Sequence, residues 1–107
     1  MKSNPQVLLI EDDTNIATGL QKVMRANGHN VTAIGRGDTG LERALAEPFD
    51  VVITDLKLPG LDGLELVRQL HQAKPKLPII LITAHGTTET AIEATKSILT
   101  NSLRILA

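Results

Sequence analysis

Glu11-Asp12-Asp13, Asp55 and Thr83 stand at the ends of three aliphatic runs, Val7-Leu8-Leu9-Ile10, Val51-Val52-Ile53 and Ile79-Ile80-Leu81-Ile82. If those runs are parallel strands of one sheet, at least three carboxylates converge at a single edge. Like charges a few ångströms apart raise one another's pKa, so an uncompensated cluster of this kind is costly. A hard divalent cation with oxygen ligands removes the cost, and Mg²⁺ suits a site with few carboxylates plus waters. A carboxylate beside Mg²⁺ can also act as a nucleophile toward phosphorus, giving an aspartyl phosphate. The metal would then offset charge on the transferring group. Thr83 can donate its hydroxyl to a phosphoryl oxygen across such a site. A single Asp at a strand end is more simply a turn or a helix cap, and Glu-Asp-Asp alone can complement a helix dipole. Acids at two strand ends and a hydroxyl at a third argue for chemistry.

The elements that must position these residues follow from periodicity. The continuous apolar runs ending in polar residues read as strands buried on both faces. Val31 to Ile34 adds another strand, making four. Between them lie helical patterns. Thr14 opens one with Ile16, Leu20, Val23 and Met24 on its apolar face, and Asn27-Gly28 closes it with a left-handed cap. Leu41, Ala44 and Leu45 mark a second, capped by Asp38 or Thr39 and stopped before Pro48. Leu64, Leu66, Val67 and Leu70 mark a third, where Asp62 and Glu65 have the spacing of a capping box. Gly86-Thr87-Thr88 opens a fourth. His29 and His71 read as exposed helix-end residues, His85 as a loop residue. The alternation predicts an α/β fold, a doubly wound parallel sheet with helices on both faces. Ligands of such sheets bind outside the carboxyl ends of the strands, where the acids stand.

Composition narrows the class. The chain has 107 residues, enough for one domain over 1–107, and 42% are hydrophobic. Phe49 is the single aromatic, so the core must be aliphatic. Lys plus Arg is 11 against 12 for Asp plus Glu, for a net charge of −1, which argues against direct nucleic-acid binding. The absence of cysteine excludes disulfides, thiolate catalysis and Cys-based zinc sites. No apolar run approaches the ~18–20 residues of a membrane span. Met1-Lys2-Ser3-Asn4-Pro5 carries no signal-peptide core, so a cytoplasmic location is expected.

Three segments carry a family resemblance. They are Val7-Leu8-Leu9-Ile10-Glu11-Asp12-Asp13, Asp55-Leu56-Lys57-Leu58-Pro59-Gly60-Leu61-Asp62-Gly63 and Ile79-Ile80-Leu81-Ile82-Thr83-Ala84-His85-Gly86. In order and separation they resemble the receiver domain of a bacterial two-component response regulator, of CheY-like fold and NtrC type, over about residues 6–96. The resemblance implies that Asp55 is the phosphoacceptor, served by a sensor histidine kinase. It implies Mg²⁺ held by Glu11, Asp12, Asp55 and the Lys57 backbone carbonyl, with Asp12 the likelier direct ligand and Asp13 outside the pair. Thr83 becomes the switch hydroxyl and the Ala84 N–H a phosphoryl donor. The resemblance implies a signalling module and not an enzyme.

Residues 97–107 depart from that pattern. The resemblance implies a fifth strand with an aromatic near 102, a lysine near 105 and a proline at 106, and then a last helix. The chain has Ser102, Ile105 and Leu106 at those places. Ile92, Thr95, Leu99, Ser102 and Leu106 instead fall at helical steps, and no Gly or Pro interrupts Ala91 to Leu106. This favours one long amphipathic helix to the C-terminus over a short strand at Leu103 to Leu106. A sheet left open at its edge calls for a partner, so a homodimer is expected, with C-terminal segments exchanged between copies. Without a lysine at 105, Mg²⁺ binding can persist while phosphorylation is lost, leaving a receiver-like module that works by pairing.

One more pattern competes. Gly35-Arg36-Gly37-Asp38-Thr39-Gly40 matches the dinucleotide fingerprint, and Asp55 lies 20 residues past Gly35. It falls on the second strand and leaves Glu11 and Asp12 unexplained. A phosphatase of the haloacid-dehalogenase type is disfavoured, because Asp55-Leu56-Lys57 lacks a second Asp two residues on.

Overall fold

Aliphatic runs and amphipathic segments alternate as β1 (Gln6–Ile10), α1 (Thr14–Ala26), β2 (Asn30–Ile34), α2 (Gly37–Ala46), β3 (Val51–Asp55), α3 (Gly63–Ala73), β4 (Ile79–Ile82) and β5 (Leu103–Leu106). The structure, a computed structural model, describes residues 4–82 and the backbone of 103–106. The strands form one five-stranded sheet in the order β2-β1-β3-β4-β5, and every pairing is parallel. The order reverses at β1, whose neighbours are β2 and β3. Right-handed crossovers in opposite directions then put α1 on one face and α2 with α3 on the other. The notch between the diverging connections lies above the carboxyl ends of β1 and β3.

Leu8, Ile10, Val52, Ile79 and Leu81 point to the α2–α3 face and pack with Leu41, Ala44, Leu66, Val67 and Leu70 in one aliphatic core. Phe49 only flanks that core. β1 is buried on both sides, as expected for an interior strand. β3 and β4 depart from expectation: Val52, Thr54, Ile79 and Leu81 are buried, whereas Ile53, Ile80 and Ile82 are half-buried. Among the described residues, α1 is the only helix of that second face, and it lies beside the β2 end of the sheet.

The fifth strand corrects the expectation of a continuous C-terminal helix. Leu103–Leu106 pairs with β4 in the register Ile79↔Leu103 to Ile82↔Leu106. A short aliphatic run fits either period, and the open β4 edge supplies backbone partners that an isolated last helical turn lacks. The expected helix from Gly86 and the residues Thr83, Ala84 and His85 lie outside the described residues.

Helix ends also differ in detail. Asp13 caps α1, its Oδ1 accepting the N–H groups of Asn15 and Ile16 at 2.9 and 3.1 Å. Asn27 follows α1, and Gly28 takes the left-handed φ of 87°. α2 begins one turn earlier than its apolar residues suggest, with Arg36 and not Asp38 or Thr39 at the cap. The capping box at α3 does not form: Asp62 makes no side-chain cap bond, and Glu65 turns to Arg68 and Gln69 at 2.6 and 3.0 Å. The longer reach to a charged guanidinium wins over the backbone N–H. Val23 is 61% exposed, off the buried face of α1, and Leu45 is exposed as well. His29 and His71 are half-buried, not exposed, and the His29 ring sits 3.1 Å from the Met24 carbonyl. Lys74 joins α3 to α2 by donating to the Ala44 and Glu47 carbonyls at 2.7 and 3.1 Å, a cation at a helix C-terminus.

Gly19 lies mid-helix in α1, exposed, with open space where a Cβ would stand. Gly19→Ala should therefore raise stability by about 1 kcal/mol through helix propensity and reduced unfolded-state entropy. Urea unfolding measures it, and an unchanged or lower midpoint counts against the helical assignment at that position.

Candidate functional site

The carboxyl ends of β1 and β3 lie side by side because the two strands pair from Val7↔Val51 to Ile10↔Thr54. The next residues, Glu11 and Asp55, follow that ladder at the same level, Asp55 still paired with Ile82 of β4. Glu11 is 3% exposed and Asp55 fully buried, whereas Asp12 is exposed. One carboxylate oxygen from each of Glu11, Asp12 and Asp55 falls within 4.8 Å of the others. Of the six groups expected to act together, the structure thus brings these three carboxylates into one cluster. Lys57 is exposed, two residues past Asp55. Thr83 and Ala84 lie outside the described residues.

Hydrogen bonds occupy one oxygen of each buried carboxylate and leave the other bare. Asp55 Oδ1 accepts the Leu56 N–H at 2.6 Å, and Glu11 Oε2 accepts the Asp13 N–H at 3.0 Å. Asp55 Oδ2 and Glu11 Oε1 are buried with no hydrogen-bond partner among the described residues. Two bare carboxylate oxygens in a buried cluster cost free energy unless a proton or a cation meets them. Burial pushes the Glu11 carboxyl up to about 7, opposed by the Asp13 N–H and reinforced by the charge of Asp55. Protonated, Glu11 can donate to Asp12 or Asp55; ionised, it has nothing on Oε1. Hard oxygen donors, crowded charge and unpartnered buried oxygens together fit a small divalent cation such as Mg²⁺.

The loop after β3 is folded tightly against Asp55. The Gly63 N–H donates to the Leu56 carbonyl at 2.9 Å. A Cβ on Gly63 would lie 2.0 Å from the Asp55 carbonyl oxygen, so only glycine allows α3 to start this close to the acid. Sequence reasoning missed Gly63 as a site residue, although the Asp62-Gly63 pair at a helix start was its visible signal. It also missed the Leu56 N–H, which no side-chain pattern reveals. Asp13 belongs to the helix cap, as its place outside the acidic pair suggested. The dinucleotide pattern is spent on packing: the Gly37 N–H is committed to the Pro59 carbonyl at 2.9 Å.

The family model of the response regulator receiver domain matches residues 7–103. The transcriptional regulatory protein ZraR of Escherichia coli (strain K12) is 32% identical over 94 residues, covering 88% of this chain and 21% of that protein. The C4-dicarboxylate transport transcriptional regulatory protein DctD of Pseudomonas aeruginosa is 39% identical over 92 residues, covering 83% of this chain and 19% of its own length. The chain thus spans about a fifth of these relatives. Among solved structures, the receiver domain of sensor histidine kinase PA1611 from Pseudomonas aeruginosa PAO1 superposes with a TM-score of 0.84 at 26% identity. The match covers 98% of this chain and 85% of that one, and that structure has a magnesium ion coordinated in its active site cleft.

Without metal, the cluster makes stability depend on pH. Glu11 holds its proton more tightly folded than unfolded, so its contribution is fully present below about 4.5 and is lost as pH rises through about 7. In Mg²⁺-free buffer the melting temperature of Glu11→Gln should exceed that of the parent at pH 8 by several degrees. The gap should close at pH 5, where Glu11 is neutral. An equal gap at both values removes the buried-charge account.

Proposed function

The chain belongs to the response regulator receiver domains of two-component signalling, and from that premise we propose that it accepts a phosphoryl group on Asp55 from a sensor histidine kinase. The observation that carries this reading is the buried, unpartnered Asp55 Oδ2 beside Glu11 and Asp12. The Leu56 N–H, shared with the Ile82 carbonyl, donates to Oδ1 and leaves Oδ2 as the nucleophile. Attack on phosphorus forms the acyl phosphate as the bond from phosphorus to the donor's nitrogen breaks, and the donor histidine takes up a proton. The charge of the transferring group would be offset by Mg²⁺ held by Glu11, Asp12, Asp55 and the Lys57 carbonyl. Thr83 and the Ala84 N–H are proposed to receive the phosphoryl oxygens on the far side.

The relatives ZraR and DctD are transcriptional regulatory proteins, so the proposed output is transcription, with DNA contacted outside residues 1–107. A cytoplasmic location accords with that output. No helix among the described residues is long and apolar enough to cross a membrane. Pairing as a homodimer is proposed on the half-buried Ile53, Ile80 and Ile82 of one sheet face. Exchange of C-terminal segments has lost its motive, because β5 lies beside the β4 of its own chain.

A second reading, a module that pairs without taking phosphate, draws on β5. Its one cation, Arg104, is in register with Ile80, two positions before the strand end, and Ile105 stands where the lysine is expected. Acetyl phosphate with Mg²⁺ separates the two. The expected result is one added phosphoryl group by intact mass, lost in Asp55→Ala. No addition to the parent chain supports the pairing module instead. Sedimentation of the same samples checks the dimer, and a monomer mass at tens of micromolar overturns it.

A further inference from the structure

The loop that follows Asp55 is gripped by a segment to which neither the resemblance nor the acidic cluster assigns a role. Gly35 to Asp38, the connection after β2 and the first residues of α2, touches both halves of the site's framework. On one side, a Cβ at Gly35 would stand 3.9 Å from the Glu11 carbonyl oxygen and 4.0 Å from the Asp12 Cα, so this backbone runs alongside the acidic pair. On the other, the Gly37 N–H donates to the Pro59 carbonyl at 2.9 Å. A Cβ at Gly37 would fall 1.8 Å from the Leu61 carbonyl oxygen, an approach that no other residue permits. Gly60, at the tip of the gripped loop, takes φ of 84°. A Cβ there would lie 2.4 Å from Asp38 Oδ1 and 2.7 Å from Arg36 Nη2. Those two side chains form a two-point ion pair, with both N···O distances 3.1 Å, and the Thr39 N–H fixes Asp38 Oδ1 at 2.8 Å.

We propose that the Gly35–Asp38 segment is a positioning clamp for the cation site, setting where the Lys57–Leu61 loop stands relative to Asp12. This rests on the reading of Glu11, Asp12, Asp55 and the Lys57 carbonyl as Mg²⁺ ligands. The physical logic is that of groups behind a ligand shell. A backbone carbonyl has no rotamer to adjust, so its place is set wholly by the loop that bears it. That loop is held at its far end by Gly63 against Asp55, along its length by Leu58 and Leu61 on the core, and at its tip by the clamp. Loosening the clamp leaves the carboxylates in place but spreads the positions of the carbonyl. Changes in such supporting contacts commonly cost 10–100-fold in metal affinity. The Arg36–Asp38 pair is exposed, and exposed ion pairs contribute little to folding stability. Its role in the clamp and its role in stability can therefore be separated.

The test is Mg²⁺ titration by calorimetry, well below the melting temperature, on the 107-residue chain and five variants. Asp12→Ala reports on the cation site itself. Gly37→Ala and Gly60→Ala force the clamp apart, Arg36→Ala removes the ion pair, and Gly19→Ala is the control in open helix. The expected result is Mg²⁺ bound by the parent and lost in Asp12→Ala. Affinity should fall about tenfold in Gly37→Ala and Gly60→Ala and several-fold in Arg36→Ala, the last with an unchanged melting temperature. Amide resonances of residues 56–62 should shift in the clamp variants while those of β1 stay. If Gly37→Ala fails to fold, Gly60→Ala and Arg36→Ala decide, and parental affinity in both overturns the clamp. Parental affinity in folded Gly37→Ala and Gly60→Ala overturns it as well, leaving the cation site intact. A parent that binds no Mg²⁺ overturns the site and the clamp together.

Discussion

Carboxylates that must be close, yet repel, are the constraint around which this domain is organised. Glu11 and Asp55 are taken out of water at the ends of adjacent strands, and Asp12 is set at their side. Nothing in an aliphatic core gains from that arrangement. Its cost is tolerable because the surrounding frame is unusually well determined. β1 is buried on both faces, α3 starts on a glycine pressed against Asp55, and the Leu56 N–H reaches back to the carboxylate it follows. The frame confines the charges; only a proton on Glu11 or a cation among the three relieves them.

The frame and the acids were legible in the sequence for the same reason. Strands buried on both faces read as unbroken aliphatic runs, and the first polar residue after such a run marks the edge where ligands bind. That logic located Glu11, Asp12 and Asp55 without any knowledge of the loops. It failed where two periods overlap. Leu103-Arg104-Ile105-Leu106 satisfies a helical stripe drawn from Ile92, yet also suffices for one short edge strand. The deciding factor, a β4 backbone partner 24 residues upstream, is invisible in a local window. The capping box at Asp62 and Glu65 failed for a different reason. Spacing says where a side chain can reach, but not which of two partners it prefers, and Arg68 outbid the backbone.

Contacts made by the main chain were the least legible. The Leu56 N–H, the Pro59 carbonyl and the bare approach of Gly37 to Leu61 have no side-chain signature beyond the glycines themselves. A G-x-G-x-x-G string invited a reading as a phosphate cradle. In the fold the Gly37 amide faces another loop of the same chain. Glycine tells that backbone comes close to something; what it comes close to is a property of topology.

The pairing of β1 with β3 has a consequence for the chemistry of ions. Adjacent strands are spaced about 4.8 Å apart by their hydrogen bonds, and Glu11 and Asp55 follow that ladder side by side. The backbone separation of the two acids is therefore set by the sheet, and the Leu56 and Asp13 N–H groups place their carboxylates upon it. Substitutions spread over the helices can raise or lower stability without altering that separation. Discrimination between small and large cations is left to the parts that can still vary: the exposed carboxylate of Asp12 and the loop beyond Asp55.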